Sequence, residues 1–241
     1  MLRFILMIVI FFPHCIYFYI LARRAVKNKE ATAQNKYDVV RKIISVICKK
    51  SRITVHTYGT ENLPKENGYS LMVNHQGRFD GLALIKSSER RISFLIDETR
   101  SNVPIEKTVV DALGCIRMNK SDLASMRRAM RDTVNAIENG GNVAVFPEGI
   151  YGDNKNELQE FKTGAISFVE QAKRPIVPVC LYDSYRVYGI NSLRPVSCQV
   201  HYLEPITYDE YKDLSKDELT ALIKSRMADK LEELKSKETE N

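Results

Sequence analysis

The stretch Asn74-His75-Gln76-Gly77-Arg78-Phe79-Asp80 places a histidine five residues ahead of a carboxylate. A neutral imidazole takes up a proton near neutral pH, and a carboxylate on its other ring nitrogen fixes the tautomer and steadies the imidazolium. Such a pair needs only a hydroxyl to activate. The apolar run Tyr69 to Val73 reads as a buried strand, and Asn74, Gly77 and Gly81 turn it into the helix-like segment Leu82 to Lys86. His75 and Asp80 would then stand at a strand's carboxyl end, where open α/β sheets bind their ligands. On spacing alone the two residues fit equally a helix cap beside a surface histidine without chemistry.

Four segments in order carry a family resemblance: Asn74-His75-x-x-x-x-Asp80, then Gly114 to Lys120, then Phe146-Pro147-Glu148-Gly149-Ile150-Tyr151 with Phe161-Lys162-Thr163-Gly164 behind it, then Pro175 to Val179. They resemble the motifs of the glycerolipid acyltransferases, the family of 1-acylglycerol-3-phosphate acyltransferase (PlsC-type). The resemblance implies a membrane-bound enzyme in which His75 deprotonates the sn-2 hydroxyl of a lysophospholipid acceptor and Asp80 orients the ring. The product would be phosphatidic acid. The donor would be acyl-CoA or acyl carrier protein as co-substrate, with no further cofactor. In the second motif Lys120 stands where arginine is usual, a point charge in place of a guanidinium fork; Arg117 is another candidate for the substrate phosphate. Glu148 suits a hydrogen bond to a glycerol hydroxyl, and backbone donors near Gly149 suit a developing oxyanion. The third motif departs from the family, with Ile150-Tyr151 in place of Thr-Arg. That shifts the phosphate onto Lys120, Arg117 and Lys162, with Arg78 also able to face the substrate. It also keeps open another lysophospholipid or an amino-acyl lipid as acceptor, and a catalytically silent lipid-binding protein as a different class.

The rest of the chain supplies the frame. No GxSxG elbow or cysteine beside a base calls for a covalent acyl-enzyme, and four scattered histidines lack metal-ligand spacing. Five cysteines, odd in number and without a CxxC pair, indicate neither a disulfide framework nor zinc. The net charge of +6 is local: residues 23–52 hold ten Lys or Arg against Glu30 and Asp38, beside the apolar run Leu2 to Leu21. That pairing suits anionic lipid headgroups rather than nucleic acid. The run is about the 20 residues a bilayer requires, broken by Pro13 and His14, and the basic excess behind it puts the downstream part on the cytoplasmic side. Residues 1–50 are therefore expected to be a membrane-anchoring helical segment and residues 51–241 the catalytic domain. Asn35 to Lys50 reads as an amphipathic basic helix, lying on the membrane or packing on the globular part.

Alternating strands and helices follow: strands at Ile53 to Thr57, Ile92 to Ile96, Cys115 to Met118, Asn142 to Phe146 and Ile176 to Leu181, with helices at Val103 to Leu113 and Gly164 to Ala172. A further helix is expected behind Ser121 as N-cap, with Leu123, Met126, Met130, Val134 and Ile137 on its core face. Ser215 to Lys237 reads as a charged helix covering the core. These elements predict an α/β fold, a layered mixed β-sheet flanked by helices.

Overall fold

Val-, Ile- and Leu-rich runs with no polar face make strands buried on both sides, and three such strands, Ser70–Val73, Asn142–Val145 and Ile176–Tyr182, lie within a sheet of seven. The computed structural model describes residues 2–10, 12–101, 104–192 and 194–239. The strands are β1 (Ile53–Tyr58), β2 (Ser70–Val73), β3 (Ile92–Asp97), β4 (Ile116–Met118), β5 (Asn142–Val145), β6 (Ile176–Tyr182) and β7 (Val196–Tyr202). They lie in the order β1-β7-β6-β2-β5-β3-β4. All neighbours run parallel except β6 and β7, so the sheet is mixed. β7 was not expected from the sequence. It enters between β1 and β6, and its burial comes from that tertiary position.

The helices are α1 (Leu2–Ile10), α2 (Phe12–Lys27), α3 (Ala33–Lys50), α4 (Asp80–Ser87), α5 (Pro104–Leu113), α6 (Leu123–Glu138), α7 (Val169–Ala172), α8 (Arg186–Gly189), α9 (Tyr208–Tyr211) and α10 (Lys216–Thr239). Along β2 the side chains alternate between two cores, Leu71 and Val73 into one and Met72 into the other. The first core takes Tyr37, Val40 and Ile44 of α3, Leu84 of α4 and Leu113 of α5. The second takes Val134 and Ile137 of α6, Val169 of α7 and Ile223, Met227 and Leu231 of α10. Each such side chain, fully withdrawn from water, contributes roughly 1.5–3 kcal/mol.

Three expectations are corrected in detail. The helix expected at Gly164 to Ala172 is a 3₁₀ turn, Thr163–Ile166, followed by α7, since Thr, Gly and Ser are poor helix formers. α6 is capped by Asp122, whose carboxylate accepts from the Ala124 N–H at 2.9 Å, and not by Ser121. Leu123, assigned to the core face, is 70% exposed at the first position of α6.

Thr32 caps α3 by accepting from the Asn35 N–H at 3.1 Å. Tyr37 is wholly buried, its hydroxyl 3.2 Å from both the Ile85 and Ser88 carbonyls. The amphipathic helix thus packs on the globular part. The apolar run ahead of it forms α1 and α2, and Pro13 falls in the first turn of α2, where its missing N–H breaks no helical bond. No helix among the described residues is long and apolar enough to cross a membrane.

Candidate active site

The parallel register Ser70↔Val143, Leu71↔Ala144, Met72↔Val145 sets β2 and β5 side by side, and the same offset carried past the strand ends brings His75 level with Glu148. The His75 ring stacks on Phe146, centroids 4.4 Å apart at 29°, and meets the edge of Tyr151 at 4.8 Å and 75°. His75 Nδ1 lies 2.7 Å from Asp80 Oδ2. Its other nitrogen, Nε2, has no hydrogen-bond partner among the described residues. The histidine side chain is 17% exposed and the aspartate wholly buried. A buried carboxylate on Nδ1 with Nε2 left for a ligand is the arrangement that lets an imidazole act as a base.

The buried carboxylate is held on every side. Oδ2 also accepts the backbone N–H groups of Gln76 at 2.6 Å and Gly77 at 2.8 Å, and Oδ1 accepts the Ser184 hydroxyl at 2.6 Å. Gln76 Oε1 accepts the Ser184 N–H at 2.9 Å, while Gln76 Nε2 donates to the Leu181 carbonyl at 2.8 Å and to Asn156 Oδ1 at 2.9 Å. Ser184, Gln76 and Asn156 were missed in the sequence. The only signal was local: Ser184 follows the apolar run of β6, and Gln76 occupies a variable place in the first motif.

Asn74 closes β2 onto β6: its amide donates to the Leu181 carbonyl at 3.0 Å, and its Oδ1 accepts the Leu181 N–H at 2.6 Å. Asn74→Ala would orphan a buried N–H, which costs about 1–3 kcal/mol. A lowered urea midpoint is the expected result, and an unchanged midpoint would contradict it.

Glu148 is 2% exposed; its Oε2 accepts from Gln159 Nε2 at 2.6 Å and its Oε1 has no hydrogen-bond partner among the described residues. Burial raises its carboxyl above the usual range, against the pull of Gln159 and the His75 backbone. A buried oxygen without a donor suits a ligand hydroxyl. Gly149 adopts φ +77°, a backbone conformation that favours glycine, and a Cβ there would sit 3.2 Å from Lys162 Nζ. The Gly149 N–H donates to the Phe146 carbonyl at 3.0 Å. Lys120 Nζ donates to the Gly149 carbonyl at 2.8 Å and lies 3.6 Å from Asp97. Lys120 and Lys162 therefore converge on one turn. Arg78 Nε donates to Tyr151 Oη at 3.2 Å. Arg117 is turned elsewhere, to Asp111 at 2.5 Å and Ser101 at 3.1 Å.

A family model described as Acyltransferase matches residues 53–182. Among curated proteins, the 1-acyl-sn-glycerol-3-phosphate acyltransferase of Borreliella burgdorferi is 25% identical over 185 residues, spanning 76% of this chain and 74% of that protein. Among solved structures, the 1-acyl-sn-glycerophosphate acyltransferase PlsC of Thermotoga maritima superposes with a TM-score of 0.76, covering 97% of each chain at 19% identity. The last likeness is one of fold.

Proposed function

The chain belongs to the Acyltransferase family, and from that membership we propose that it transfers a fatty acyl group from a thioester donor to the sn-2 hydroxyl of 1-acylglycerol 3-phosphate, giving phosphatidic acid. The observation that carries this reading is the His75–Asp80 pair, with Nδ1 on a buried carboxylate and Nε2 left for a ligand. Nε2 takes the hydroxyl proton as the oxygen attacks the thioester carbonyl. The tetrahedral intermediate then collapses, the C–S bond breaks, and the imidazolium returns its proton to the leaving sulfur. The donor is acyl-CoA or acyl carrier protein. Phe146 and Tyr151 against the ring hold it in one orientation. The Glu148 oxygen left without a partner among the described residues is suited to the acceptor hydroxyl or a donor amide. Lys120 and Lys162 at Gly149 supply positive charge for the phosphate.

Purified protein supplied with labelled acyl-CoA or acyl carrier protein and a panel of lysolipids tests this. Label in phosphatidic acid is expected. Label in another acylated lysolipid, with lysophosphatidic acid inert, would replace the acceptor.

Membrane association belongs to the same proposal. α1 and α2 bury Met7 and Ala22 but expose Ile5, Val9, Ile10, Phe12, Ile16, Tyr17 and Ile20, and Arg23, Arg24, Lys27 and Lys29 follow. An apolar face beside a basic cluster lies in a leaflet interface, each basic residue adding about 1 kcal/mol near anionic lipid. Deleting residues 1–28 leaves the buried α3 in place and should abolish most co-sedimentation with anionic vesicles. Undiminished co-sedimentation in moderate salt would contradict it.

A further inference from the structure

Arg78 and Tyr151 share a cleft of about 280 Å³ lined also by Gln76, Gly77, Tyr185 and Tyr188. The cleft adjoins the base, since the Tyr151 ring that accepts from Arg78 Nε through its hydroxyl also meets His75 edge-on at 4.8 Å. Position 151 is where the family resemblance places an arginine. We propose that Arg78, oriented by Tyr151, supplies from the first motif the guanidinium that position 151 lacks, and so anchors the phosphate monoester of the acceptor in this cleft. The inference rests on the acyltransferase reading above and adds to it the residue that sets headgroup specificity.

Three features support it. With Nε on Tyr151 Oη, the two terminal nitrogens of Arg78 remain for an anion, and a guanidinium fork matches two phosphate oxygens as an ammonium does not. Arg78 also makes no ion pair with a carboxylate among the described residues, whereas Arg117 is paired with Asp111 and Lys120 lies near Asp97. The position suits a lipid as well. Tyr188 lines the cleft from α8, and α1 packs against α8 with Ile5, Val9 and Ile10 exposed, so the cleft stands near an apolar surface on which an acyl chain can stay while its headgroup enters. One carboxylate, Asp153, lines the same cleft and opposes a phosphate there.

The test is kinetic, on the full chain in vesicles, with lysophosphatidic acid and acyl donor varied in turn. Wild-type protein that forms no phosphatidic acid would overturn the acyltransferase reading before the variants are compared. Given wild-type activity, Arg78→Ala should raise KM for lysophosphatidic acid about ten-fold or more, the effect of losing about 1.4 kcal/mol of binding, and leave KM for the donor unchanged. Tyr151→Phe, which keeps the ring but frees the guanidinium, should raise it less. Adding Tyr151→Arg to Arg78→Ala should bring KM most of the way back, a recovery that a merely structural role for Arg78 would not give. Asp153→Asn should lower KM for lysophosphatidic acid. An unchanged acceptor KM in Arg78→Ala, an increase confined to the donor, or no recovery in the double variant would overturn the proposal.

Discussion

His75→Ala should lower kcat by about 10² to 10⁴-fold while leaving the protein folded, the range typical for loss of a general base. The ring touches Phe146 and Tyr151 beyond the carboxyl ends of the central strands β2 and β5 and is not part of either core, so its removal should leave the thermal midpoint near that of wild type. Asp80 is a different case. Its carboxylate is wholly buried and holds the Gln76 and Gly77 amides and the Ser184 hydroxyl as well as the imidazole. Asp80→Ala should therefore lower both activity and stability. Asp80→Asn separates the two, because the amide keeps the shape but cannot stabilise an imidazolium, and kcat should fall by a factor comparable to His75→Ala. Initial rates of phosphatidic acid formation check both, and turnover near wild type in either His75→Ala or Asp80→Asn would remove the dyad from the mechanism.

Lys120→Ala should raise KM for lysophosphatidic acid by about ten-fold, the effect of losing about 1.4 kcal/mol of binding between the ammonium and the phosphate. The ammonium also ties the β4–α6 loop to the Gly149 carbonyl at 2.8 Å. A second readout separates charge from strut: acceptors without a terminal phosphate should be little affected. Lys120→Arg should keep the low KM. Equal KM increases for phosphorylated and unphosphorylated acceptors would show that Lys120 holds the turn and not the ligand.

The sheet was legible where apolar runs were bounded by turn residues, and for that reason β2, β3, β5 and β6 stand within a residue or two of where the sequence places them. β7 was overlooked although Val196-Ser197-Cys198-Gln199-Val200 alternates apolar and polar residues as a strand does. Its place in the sheet was not legible, because β1 lies 143 residues away by the Thr57↔Val200 pairing and comes close only after folding. The same limit applies at the site. His75 and Asp80 were visible because both lie in one turn, and Glu148 because a motif carries it. Ser184 reaches Asp80 across 104 residues and Gln76 meets Asn156 across 80, so nothing local marked either contact. Arg117 shows the converse. Its place in the second motif made it a candidate phosphate ligand, and the structure sets Asp111, six residues earlier on α5, 2.5 Å from its guanidinium. That partner comes from the element before β4.

Direct transfer from thioester to hydroxyl, promoted by His75, is tested most directly by quenching wild-type protein with labelled acyl donor in the absence and presence of lysophosphatidic acid and weighing the intact protein. No acyl adduct on the protein in either condition, with phosphatidic acid formed only when the acceptor is present, is the result expected. A stoichiometric acyl adduct that forms without acceptor and is consumed when lysophosphatidic acid is added would contradict it.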